Sequence, residues 1–148
     1  MIQRIQTVWL ICGAVCMSLM AFTPFFKDST GQVYQLHGNI VPSGATVSNY
    51  FVHWVVAVAV VLFLGAVVLF KNRPLQLQLV RLNFLVLAGT VALSAMYLNG
   101  AQEQAGAAAT VNFGMGFFFP IPALVFNWLA AKGIRADERL VKDLNRIR

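Results

Sequence analysis

Residues 5–26 contain no charged side chain, and the same is true of residues 50–70, 82–98 and 111–131. At 1.5 Å of rise per residue, helical runs of this length match the roughly 30 Å hydrocarbon layer of a bilayer. The remainder of the chain agrees with a lipid solvent. Only 11% of its residues are charged and 59% are hydrophobic, with a mean hydropathy of +0.72, whereas a soluble domain carries about 25% charged residues. A water-soluble chain of this size could not hide so much apolar surface, since roughly 30% of its surface would stay outside. The expected fold is therefore all-α: one integral membrane domain with transmembrane helices at 5–26, 50–70, 82–98 and 111–131 and a cytoplasmic tail at 132–148. Neither a polar linker nor an internal repeat divides it.

The first run competes with a cleaved signal peptide, because Arg4 precedes it. It is longer than the usual apolar region of about 7 to 15 residues, and no convincing A-x-A site follows, so the expectation is a retained first helix. Residues 27–49 shift to Gly, Ser, Thr, Asn and Gln. Residues 32–36 alternate polar with apolar, residues 37–39 carry turn chemistry, and Ile40 and Val41 resume the apolar character. A small β-hairpin over the bundle and an irregular loop fit this extracytoplasmic stretch equally. The second run stops at Lys71, Asn72, Arg73 and Pro74, a cationic cluster ending in a residue that cannot continue a helix. In the third run, Ala88, Ala92 and Ala95 beside Gly89 form a stripe of small residues that predicts close helix packing.

Charge orients the chain. Arg4, Lys71, Arg73, Arg81, Lys132, Arg135, Arg139, Lys142, Arg146 and Arg148 fall on one side of a four-span bundle, with Lys27 alone on the other. Such a bias predicts cytoplasmic N- and C-termini. Trp9 and Trp128 then lie near the inner interface, and Tyr50, Trp54 and Tyr97 near the outer one, as an aromatic belt requires. The net charge of +6 reports topology rather than nucleic-acid binding, because no aromatic interleaving or binding fold accompanies the basic residues.

Little in the sequence carries chemistry. No Asp, Glu or Lys lies well inside a run, and Arg81 and His53 sit within about a turn of an interface, where snorkelling or water accounts for them. His53 has no partner histidine that would point to haem or quinone. Cys12 and Cys16 stand one turn apart inside the first run, better placed for packing than for a disulfide or a metal. Asn83 and Asn127 are suited to hydrogen-bond between helices, each for about 1 kcal/mol. No Ser/His/Asp set, paired carboxylate or phosphate-cradling glycine loop occurs. No catalytic, cofactor-binding or metal-binding residues are expected, and the chain does not read as an enzyme.

The fourth run and its tail are the stretch around which the rest is organised. Pro120 and Pro122 predict a kink within the fourth helix, leaving the carbonyls of Gly116 and Phe118 without their usual donors. After Gly133, a helical tail would place Ala136, Leu140, Leu144 and Ile147 on one face, with Val141 at its edge. Arg135, Glu138, Arg139, Lys142 and Arg146 occupy the rest. Three acidic residues against six basic ones from Lys132 leave an excess suited to an anionic leaflet. The adjacent Asp137 and Glu138 favour a protein partner over a lipid anchor. Candidate interaction residues are therefore Arg135, Asp137, Glu138, Arg139, Leu140, Lys142, Leu144, Arg146 and Arg148. The functional expectation is a non-catalytic accessory or interaction subunit. A transporter or channel component using the proline-broken helix is the alternative.

The opening MIQRIQTVWL, the run FFFPIPALVFNWLA and the tail GIRADERLVKDLNRIR resemble an uncharacterised four-helix membrane family of Bacteroidetes, domain of unknown function 4293. Its members share the Met-Ile-Gln-Arg-Ile-Gln opening. They end in an Ile-Arg-x-Asp-Glu-x-Leu-Val stretch and a basic terminus, matched here by Ile134, Arg135, Asp137, Glu138, Leu140, Val141 and residues 146–148. Ala136 stands where the family commonly has a basic residue. The resemblance implies four helices and a bacterial inner-membrane location, and it implies no activity.

Overall fold

The computed structural model describes residues 2–28, 33–35, 50–105 and 111–146. Four α-helices dominate: α1 (Ile2–Phe22), α2 (Tyr50–Val68), α3 (Arg73–Ala105) and α4 (Pro120–Arg146). Three short strands, β1 (Pro24–Asp28), β2 (Val33–Gln35) and β3 (Val111–Phe113), form a sheet in the order β2-β1-β3. Single 3-10 turns at Leu69–Lys71 and Met115–Phe118 complete the described elements. Three helical stretches, Ile5–Phe22, Arg73–Met96 and Met115–Val141, are long and apolar enough to cross a membrane, and Val52–Val68 is a shorter apolar helix.

Each helix packs on its neighbours in the chain, and α1 closes the ring against α4. The inward positions recur at alternating steps of three and four: Val52, Val56, Ala59, Phe63 and Ala66 on α2, and Pro120, Ala123, Asn127, Ala130 and Ile134 on α4. That spacing lets side chains interdigitate along a bundle. The stripe on α3 reads Gln76, Val80, Asn83, Leu87, Thr90 and Ser94, more polar than the exposed Leu75, Leu82, Phe84, Leu85 and Met96 around it. Lipid explains the inversion: outside, any apolar residue is well solvated, whereas polar groups must find partners within the protein. Thr90 donates to the carbonyl of Val86, and Ser94 to that of Thr90.

At the opposite end from the 69–72 turn, β1 pairs antiparallel with β2 through Phe26–Tyr34 and Lys27–Val33, and with β3 through Phe26–Phe113 and Asp28–Val111. Gly114 N donates to Phe25 O at 2.9 Å. The rings of Phe25, Phe113, Phe117 and Phe118 pack together, with centroids 4.5 to 6.3 Å apart.

Several boundaries differ from the sequence expectation. The first helix ends at Phe22, because Pro24 opens a strand. That strand is one arm of a hairpin whose other arm is Val33–Gln35; the remainder of the expected hairpin, residues 36–41, lies outside the described residues. The third helix begins at Arg73 instead of residue 82, since Pro74 falls in the first turn, where a missing amide forfeits no bond. It continues to Ala105, through half of the stretch read as a loop. Residues 111–119, read as part of the fourth span, form β3 and a 3-10 turn. The stripe of Ala88, Ala92 and Ala95 is exposed, because Asn83, Leu87, Thr90 and Ser94 take the inward positions.

Candidate functional site

The charged end of the bundle holds a cavity of about 540 Å³ to which all four helices contribute. From α1 come Gln6 and Thr7, from the end of α2 Val67 and Val68, and from the turn that follows Phe70. Arg73 and Gln76 of α3 and Ile134 and Asp137 of α4 complete the lining. Gln76 is buried for a structural reason. The carbonyl of Ala66, near the C-terminus of α2, would lack a partner as the helix gives way to the 3-10 turn, and Gln76 Nε2 donates to it at 2.9 Å.

Gln6 is different. It is only 5% exposed, yet among the described residues its Nε2 has no hydrogen-bond acceptor, a state that costs roughly 1 to 3 kcal/mol. Gly133 makes room for it: a Cβ there would stand 2.8 Å from Gln6 Cγ. Beside it, Arg73 Nη2 faces Asp137 Oδ2 at 3.7 Å, with both side chains partly covered. The separation allows attraction but is too long for a hydrogen bond.

The expected tail helix is not a separate element, because α4 runs unbroken through Gly133 to Arg146. Ile134, assigned from sequence to the tail, is buried in the core. Asp137, read as facing a partner, turns inward to Arg73, and Glu138 is half-buried. Arg135, Ala136, Arg139, Leu140 and Val141 are exposed, Leu140 to 52%. Lys142, Leu144 and Arg146 continue the helix, and Arg148 lies outside the described residues. Gln6 contacts the Gly133 position and α1 begins at Ile2, so the antiparallel α1 ends about level with residue 137. The following turns of α4 project past it by roughly 12 Å at 1.5 Å per residue.

Pro120 and Pro122 do not bend the middle of a helix. They occupy its first turn, directly after the 3-10 turn, and the bond from Ala123 N to Phe119 O at 3.3 Å starts the α-helical ladder. Prolines there lack amides that no helical carbonyl awaits. The broken fourth helix that motivated a transporter reading is thereby removed.

Of the remaining candidates, Asn127 Nδ2 bonds across the bundle to Val80 O at 2.9 Å, as expected. Both amide atoms of Asn83 are buried without a partner among the described residues. Cys12 and Cys16 are free thiols, both half-buried. Trp9 stacks on Phe126 at 5.7 Å, and Lys132 Nζ lies 5.5 Å from the ring of Trp128, within cation–π range. Gln6, Arg73 and Gln76 were not singled out from the sequence as a site. Gln6 reads there as a small polar interruption of an apolar run, and only its burial distinguishes it.

A family model described as Domain of unknown function (DUF4293) matches residues 2–147. A search of curated proteins finds no match to the chain.

Proposed function

Since the chain belongs to the family of that domain of unknown function, which brings no activity with it, we propose a role from the geometry alone. The protein is a small, non-catalytic accessory subunit of the bacterial cytoplasmic membrane, with both termini cytoplasmic, and its α4 extension docks a protein partner. The observation that carries this reading is the projecting end of α4, where Leu140 and Val141 are exposed beside Arg135 and Arg139. A helix that merely anchors itself to a leaflet lies flat in the interface. This one continues the fourth span without a break at Gly133, a course that carries it away from the membrane surface. The cationic ends of α1, α3 and α4 around the cavity, against Lys27 at the sheet end, support the cytoplasmic orientation.

The test is copurification from native membranes in mild detergent. The wild-type chain is expected to retain a stoichiometric protein that the double variant Leu140→Ser, Val141→Ser loses, with the thermal unfolding of the bundle unchanged. Equal retention by the two overturns the docking role.

A further inference from the structure

The cavity at the charged end combines groups whose chemistry specifies a ligand. Its lining includes Gln6, whose deeply buried Nε2 has no acceptor among the described residues, and Arg73 and Asp137, which are too far apart to hydrogen-bond each other. The first turn of α3, to which Arg73 belongs, adds the positive end of a helix of 33 residues. Two donors and a helix N-terminus favour an anionic oxygen group. Asp137 opposes a simple anion and favours a cation close beside it. A ligand bearing one negative and one positive group satisfies all three and leaves the site neutral, whereas a purely anionic one would sit against the carboxylate. The rim fits an amphiphile. Val68 borders the cavity, and Leu64 and Val61 continue the same exposed face of α2 one and two turns further into the bilayer-facing surface.

We propose that this cavity binds the zwitterionic head group of a phospholipid, a phosphate diester linked to a primary amine. The phosphate oxygens accept from Gln6 Nε2 and the Arg73 guanidinium, and the ammonium donates to Asp137. One acyl chain follows Val68, Leu64 and Val61. The assignment depends on the membrane setting of the bundle and not on a docked protein at the end of α4, so the two ideas fail separately.

The experiment uses the full chain in mild detergent. Equal concentrations of short-chain phosphatidylethanolamine, phosphatidylglycerol and phosphatidylcholine are offered in turn, then soluble phosphoethanolamine. Bound ligand is counted by native mass spectrometry, and folding is followed by thermal unfolding. One phosphatidylethanolamine per chain is expected, held roughly tenfold more strongly than either other lipid, the factor expected for a charge-assisted hydrogen bond. Gln6→Leu should weaken retention roughly tenfold or more without lowering the unfolding temperature; if that variant does not fold, Gln6→Met removes the same donor at similar length. Asp137→Asn should erase the preference for phosphatidylethanolamine over phosphatidylglycerol. Soluble phosphoethanolamine bound as tightly as the lipid would support the head-group site and overturn the acyl track. No retained lipid, equal retention of phosphatidylglycerol, or wild-type behaviour of both Gln6→Leu and Asp137→Asn overturns the assignment.

Discussion

A methyl group at position 114 would stand 2.8 Å from the carbonyl carbon of Pro24, in backbone that cannot step aside. The φ of −84° there is open to any residue, so space rather than conformation demands glycine. Gly114→Ala should lower stability by about 1 to 3 kcal/mol, the usual result of overpacking, measured by thermal unfolding in detergent. Gly133→Ala meets Gln6 Cγ at the same distance, but the obstacle is a flexible side chain. Replacing a mid-helix glycine also gains about 0.5 to 1 kcal/mol, so that variant should stay within about 1 kcal/mol of wild type. A loss at Gly133 as large as at Gly114 would show that Gln6 is held rigidly. Asn83 offers a third comparison. Its two buried amide atoms have no partner among the described residues, and exchanging an unsatisfied polar group for an apolar one of similar shape is neutral or stabilising. Asn83→Leu should therefore leave the unfolding temperature unchanged or raised, and a clear fall would reveal a water or ligand that Asn83 serves.

At the scale of the element, α4 shows where sequence and structure part. The composition of residues 132–148 suggests a tail beginning after Gly133, yet Ile134 is only 1% exposed and Asp137 reaches Arg73. Truncation after Gly133 should cost roughly 2 kcal/mol or more through loss of a buried aliphatic side chain. Truncation after Glu138 removes only the projecting turns and should unfold at the wild-type temperature; if both truncations unfold alike, the core does not extend past Gly133. The prolines test the other end. Because Pro122 lies in the first turn, Pro122→Ala should change stability by less than about 1 kcal/mol, whereas relieving a proline in a helix interior would gain about 3 kcal/mol. The prolines read as a break because residues 111–131 form one apolar run, and nothing local announces that its first residues pair as a strand with β1.

For the molecule as a whole, the decisive prediction is orientation. A cytoplasm-only reporter fused after Arg148 and a periplasm-only reporter inserted at Ser43 should both be active, following the ten basic residues that the sequence reading assigns to one side of a four-span bundle. Activity of the periplasmic reporter at the C-terminus would place the cavity and the end of α4 outside the cell and overturn the docking role.

Apolar helices were legible in the sequence because length and lack of charge are properties of each segment alone. The matches of the opening, the fourth run and the tail likewise sufficed for the family. Which face of each helix turns inward was not legible. In lipid both faces are apolar, so the contrast that marks a buried face in water is missing, and Ala88, Ala92 and Ala95 read as packing residues although they face outward. The pairing of β1 with β3 joins strands on opposite sides of two helices, a contact no local pattern encodes. The cavity is of the same kind. Gln6, Arg73, Gln76 and Asp137 stand in three separate stretches of sequence, and only the antiparallel closure of α1 on α4 and the tight turn between α2 and α3 bring them to one end of the bundle.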